Sequence, residues 1–128
     1  MTTTVHDVKQ RSLDKNLYFT VQGKIMLGFE DPISLDFGTV KEDVVIIDNT
    51  GYIALKLWNE IIDKVKSDYS YSITCCRMRR FDGCNLLTTT PKTVVTPIQL
   101  EVKVPQVNFF AMQLKVRAEK IVGVASGW

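Results

Sequence analysis

The 128-residue chain has a single histidine, His6, set in a polar stretch near its start. That argues against a Ser-His-Asp arrangement or a histidine-rich metal site in the core. Its three cysteines are Cys75, Cys76 and Cys84. They cannot all pair, two are adjacent, and none forms a CxxC, so they read as reduced thiols of an intracellular protein and not as zinc ligands. No apolar run approaches the roughly 20 residues that a membrane helix needs. Residues 1–16 are polar and lack the apolar segment of a signal peptide. Gly23, Gly28 and Gly38 make no phosphate-cradling loop. Converging carboxylates are missing as well: Asp48 belongs to a turn, and Glu60 and Asp63 to a helix surface. There is no internal repeat or low-complexity tract. Together these absences speak against an enzyme, a metal site or a bound cofactor.

What is present is an ordinary folded composition, 45% hydrophobic, with a formal charge of only +2. The charge is unevenly spread. Residues 1–55 hold five basic and eight acidic side chains, residues 56–92 seven and four, and residues 93–128 four and two. The middle third therefore carries a basic excess, which matters only if its charges share a face.

Alternation sets the strands. Phe19, Val21, Ile25 and Leu27 share one parity within Leu17 to Leu27, with Gly23 marking a bulge or strong bend. Residues 28–38 read mostly as loop. Val44 to Ile47 and Tyr52 to Trp58 flank the turn residues Asp48-Asn49-Thr50-Gly51, which makes a hairpin. Asn59 to Val65 reads as a short helix, with Asn59 as a possible N-cap and Ile61, Ile62 and Val65 as its apolar stripe. In Tyr71 to Phe81 the apolar parity switches between Ile73 and Cys76, so one extra residue, a bulge, is expected near Thr74–Cys75. Asp82-Gly83 is a hairpin turn, and Cys84 to Thr90 returns.

The result is an all-β chain of five strands with one short helix between the third and fourth. That is the layout of the OB fold, a Greek-key barrel. The expected division is a flexible N-terminal arm over 1–16, the barrel over 17–96, and a C-terminal extension over 97–128. The alternation at Ile98, Leu100, Val102 and Val104 and again at Met112, Leu114, Val116 and Ala118 favours strands for that extension.

With the bulge in place, Lys56 and Trp58 at the end of the third strand share an outer face with Arg77, Arg79 and Phe81 on the fourth. Rings beside cations suit single-stranded nucleic acid, in which bases offer free faces and phosphates demand charge. Each residue also has a plainer reading. Trp58 would cover a barrel end, Phe81 would pack on its hairpin neighbours, and Arg77 and Arg79 would be a solvated strand face.

The stretch Asp-Asn-Thr-Gly-Tyr-Ile-Ala-Leu-Lys-Leu-Trp-Asn-Glu-Ile-Ile-Asp-Lys-Val (48–65) resembles the OB folds of the replication protein A large subunit, and 71–90 resembles their fourth strand, hairpin and fifth strand. The resemblance covers about residues 17–95. It implies base stacking by Trp58 and Phe81. It also implies phosphate contacts from Lys56, Arg77 and Arg79 and, further out, Lys24, Arg80 and Lys92. By the same resemblance the chain would be a nuclear single-stranded-DNA binder of replication or repair with little sequence preference, RNA being a further ligand. Tandem domains and zinc-ribbon cysteines of that subunit are absent here, so its trimerisation does not carry over. Two rival expectations remain. One is a protein-interaction subunit of a DNA-maintenance complex, joining other OB-fold subunits or itself through the C-terminal extension, where Phe109-Phe110-Ala111-Met112 offers an apolar patch. The other is a structured-RNA or tRNA binder of the same fold.

Overall fold

The computed structural model describes residues 2–102. In chain order these form α1 (Val5–Gln10), β1 (Tyr18–Leu27), β2 (Ile33–Leu35), β3 (Gly38–Lys41), β4 (Val44–Asp48), β5 (Gly51–Trp58), a 3₁₀ helix (Asn59–Lys64), β6 (Tyr69–Phe81), β7 (Cys84–Thr88) and β8 (Val95–Pro97).

Five of the strands close on themselves. β1 pairs antiparallel with β4 and with β6, β4 with β5, and β6 with β7, and a parallel β5–β7 contact through Leu55↔Leu87 and Lys56↔Thr88 shuts the ring. This is the OB barrel, with the 3₁₀ helix between its third and fourth strands. The inward parity of each strand fills one core: Phe19, Val21 and Ile25 from β1, Ile53, Leu55 and Leu57 from β5, and Ile73, Cys76 and Met78 from β6. β4 is buried on both faces. Val44 and Ile46 enter that core, while Val45 and Ile47 meet Met26, Tyr52 and Val102 outside it. A strand covered on both sides loses its alternation, which is why Val44 to Ile47 is a continuous apolar run.

The bulge lies where the phase change places it. Phe19 pairs with Cys76 and Val21 with Ile73, so β6 spends one residue more than β1 between these pairs. Cys75 takes a φ of 51° to absorb it. Gly23, in contrast, carries no bulge, because the register runs unbroken from Val21 to Ile25. Its role is close approach: a Cβ there would sit 2.5 Å from the Ile47 carbonyl oxygen.

Three expectations change. The N-terminal residues do not behave as a flexible arm: α1 docks on the barrel, with Val5 and Val8 fully buried. Its first turn is held by the turn after β4, since the Val5 amide donates to Asp48 Oδ2 (2.8 Å) and the His6 amide to Thr50 Oγ1 (3.0 Å). Residues 28–38 are not simply loop, because β2 and β3 form a hairpin there that pairs with β5. Asn59 does not cap the 3₁₀ helix. It adopts φ 55° and accepts a hydrogen bond from the Thr39 amide instead (3.0 Å), joining the helix to β3. The apolar stripe is as expected, with Ile61 and Val65 buried.

β8 lies antiparallel to β6, and the Ile98 amide continues the ladder to Ser70. From residue 103 the expected extension, with Phe109-Phe110-Ala111-Met112, lies outside the described residues. Among the described residues no helix is long and apolar enough to cross a membrane.

Candidate functional site

A groove of about 830 Å³ runs across one face of the barrel. Its floor follows from strand register. Lys56 on β5 pairs with Thr88 on β7, Thr88 with Arg77 on β6, and Arg77 with Tyr18 on β1, so these four form one transverse row. The period-two geometry of strands then puts Trp58 and Arg79 on the same face, and Thr90, just beyond β7, lines it as well.

Trp58 is half-buried and lies outside the core cluster. Its indole Nε1–H donates to Thr88 Oγ1 (2.9 Å), and its amide to Thr89 Oγ1 (3.0 Å). The ring is thus pinned to the groove floor. Phe37, at the tip of the β2–β3 hairpin, sits 5.6 Å away, centroid to centroid, at an interplanar angle of 36°. Such spacing falls in the range of attractive ring pairs. Phe37 is nonetheless 77% exposed, so most of its surface is free. Phe81 stands at the end of β6, 40% exposed. The two-residue turn beyond it has φ 49° at Asp82 and 81° at Gly83, the both-positive geometry of a tight hairpin turn.

The cations differ in how they are held. Arg79 is exposed, and its side chain makes no hydrogen bond or ion pair with any described residue. Arg77 donates from Nη2 to Tyr18 Oη (2.6 Å) and lies 4.8 Å above that ring. Lys92 reaches the same ring at 5.8 Å. Lys56 meets Glu42 at 3.9 Å, a loose and partly exposed contact. Arg80 is committed to structure on two sides, donating from Nε to Asn85 Oδ1 (2.9 Å) and from Nη2 to the Arg11 carbonyl (3.1 Å).

The groove thus brings together Lys56, Trp58, Arg77, Arg79, Arg80, Phe81 and Lys92. Lys24 does not join them. It forms an ion pair with Asp68 at 2.7 Å. Its strand parity is outward, but roughly 20 Å of β1 separates it from Tyr18. Two aromatic residues of the groove escaped the sequence reading. Tyr18 shares the outward parity of β1, and that parity was the signal for it. Phe37 had a weaker one, an aromatic placed among turn residues between Asp36 and Gly38.

Two polar anchors hold the walls. At the base of the β2–β3 hairpin the buried Lys41 ammonium meets Asp43 at 2.7 Å and donates to the Gly28 (3.1 Å) and Glu30 (2.6 Å) carbonyls. Behind the β6–β7 hairpin, Asn85 Nδ2 donates to the Val8 and Arg11 carbonyls, both at 2.9 Å. The cysteines take no part in the groove. Burial, and secondarily the charge of Cys75, pushes the Cys76 thiol up to about 12. It therefore stays protonated and unreactive at neutral pH.

No protein-family model matches this chain, and no curated protein does. Solved structures do. The OB domain of Ta0387 from Thermoplasma acidophilum is 19% identical, with a TM-score of 0.61 over 82% of this chain and 93% of that one. A replication factor A-related protein from Methanobacterium thermoautotrophicum is 20% identical, with a TM-score of 0.58 over 77% and 91%. A murine DNA-binding protein, solved with double-stranded DNA, is 11% identical, with a TM-score of 0.52 over 84% of this chain and 51% of that one. The class is settled by these likenesses and by the closed barrel: the chain is an OB-fold domain. Its fold neighbours include a replication factor A-related protein.

Proposed function

We propose that this domain binds single-stranded DNA, without catalysis and with little sequence preference. The observation that carries the proposal is the groove, in which two pinned or exposed rings predicted to stack and five cations predicted to meet phosphates line one channel. Trp58 and Phe81 stack on bases, and Phe37 adds a third ring beside Trp58. Lys56, Arg77, Arg79 and Lys92 meet phosphates, and Arg80 contributes what its structural bonds leave over. In this fold the loops joining strands one to two and four to five flank the usual ligand face, and the groove lies between them on β5, β7, β6 and β1, with no residue of β4 in its lining. Here those loops are the β2–β3 hairpin and the β6–β7 turn. The likeness to a replication factor A-related protein accords with the reading.

The duplex-bound murine neighbour supplies the rival ligand. A duplex hides its base faces, so exposed rings contribute little to holding it, whereas stacking on a single strand contributes about 1–3 kcal/mol per base. The test is a fluorescence-anisotropy titration of a thymine oligomer at low and moderate salt. Trp58→Ala and Phe81→Ala are each expected to weaken binding by about 1–3 kcal/mol. A double variant that binds as tightly as wild type, or a duplex that competes as well as the single strand, overturns the reading. A matched uracil oligomer reports any preference for DNA over RNA.

A further inference from the structure

One end of the groove has a construction that base stacking does not call for. Tyr18 opens β1, and two cations converge on its ring, Arg77 Cζ at 4.8 Å and Lys92 Nζ at 5.8 Å from the centroid. Neither cation is in an ion pair with a described residue. Two carboxylates line the groove, Glu42 and Glu60, and Glu42 is turned to Lys56. Each cation is attracted to the electron-rich ring, and a bound anion would pair with the charge that remains.

Both cations are placed by the fold. Arg77 is oriented by its bond to Tyr18 Oη, while its buried Nε has no hydrogen-bond partner among the described residues. The Nη1 end of the guanidinium, which makes no hydrogen bond with a described residue, is the end left for a ligand. Lys92 rides on a loop fixed by the bulge: the Cys75 carbonyl accepts from Thr90 Oγ1 (2.8 Å) and from Thr93 Oγ1 (3.1 Å). The extra residue in β6 thus sets the loop that carries the second cation.

We propose that Tyr18, Arg77 and Lys92 form a seat for one backbone phosphate, which both cations share. This rests on the reading of the groove as a single-strand site and names the place where the backbone is anchored. An oxyanion there accepts from the guanidinium fork and from the ammonium, and Tyr18 keeps the two donors together.

The test reads the slope of log affinity against log salt, which becomes shallower by about 0.7 for each single-strand phosphate that the protein no longer neutralises. The probes are a thymine oligomer and its base-free deoxyribose-phosphate counterpart. On both, Arg77→Gln with Lys92→Gln is expected to reduce the slope by about 0.7, one phosphate's worth, and adding Arg79→Gln by about 0.7 more. Tyr18→Leu reproduces most of the first reduction, and Tyr18→Phe, which keeps the ring, does not. A drop of about 1.4 for the Arg77 and Lys92 pair means two separate phosphates and overturns the shared seat. An unchanged slope overturns the seat altogether while leaving stacking intact. Wild-type protein that binds neither probe defeats the single-strand reading itself, and the seat with it.

Discussion

The groove has two unlike walls. The β2–β3 hairpin brings apolar surface, Leu35 and Phe37, and the β6–β7 hairpin brings Arg77, Arg79, Arg80 and Phe81. Their supports differ as much as their chemistry. The first stands on a buried ion pair, Lys41–Asp43, which also ties down the chain at Gly28 and Glu30. The second leans on the N-terminal segment through Arg80 and Asn85, across 69 and 77 residues of sequence. A short edge hairpin has little core of its own and relies on a local clamp. The longer hairpin borrows rigidity from a distant segment, so its ring and charges depend on the N-terminus staying docked.

Cutting the first support should have the largest effect. Lys41→Met leaves the Asp43 carboxylate buried without its ion partner, and the expected loss of stability, read by urea unfolding, is about 3–5 kcal/mol. A loss near zero would mean that the pair is solvated and the two walls are not differently supported. Asn85→Ala strips donors from the carbonyls that end α1 and should cost about 1–3 kcal/mol. Amide exchange in α1 should quicken in that variant while the β4–β5 ladder stays protected.

The walls should also differ in what salt does to their variants. Phe37→Ala is expected to lower oligomer affinity by about 1 kcal/mol or somewhat more at every salt concentration, with the slope unchanged. Arg79→Gln is expected to reduce the slope by about 0.7 and to matter less as salt rises. Exchange of those two behaviours would reverse the assignment of the walls. The smallest effect concerns pH. The Cys76 thiol is held neutral by burial, with its value raised from an ordinary 9.0 to about 12. The unfolded chain therefore releases that proton first. Stability from this site is complete below pH 9 and is lost as pH rises toward 12. Cys76→Ala should flatten that part of the stability–pH curve.

How much of this was legible in the sequence follows from the range of the forces involved. The barrel strands, the β4–β5 turn and the bulge at Cys75 are written in local alternation and turn chemistry, so they could be read along the chain. β2 is three residues long and exposed throughout, too short for its Ile-Ser-Leu alternation to mark a strand. The docking of α1 depends on Asp48 and Asn85, which meet it only after folding. For the groove, parity placed Lys56, Trp58, Arg77 and Arg79 on one face. It could not show that Arg80 is tied to Arg11, or that Lys24 pairs with Asp68.

The turn at Asp48 has a consequence for the order of folding. One carboxylate oxygen accepts from the Thr50 and Gly51 amides, and the other from the amide that begins α1. A six-residue helix has almost no lifetime of its own in water. Thr4 caps it locally, but the Asp48 carboxylate that accepts from its first amide and the Asn85 amide that donates to its last carbonyls both come from segments made much later. The earliest-made residues of this domain are thus among the last to settle. Until they do, Val5 and Val8 remain in solvent and the barrel end they cover stays open.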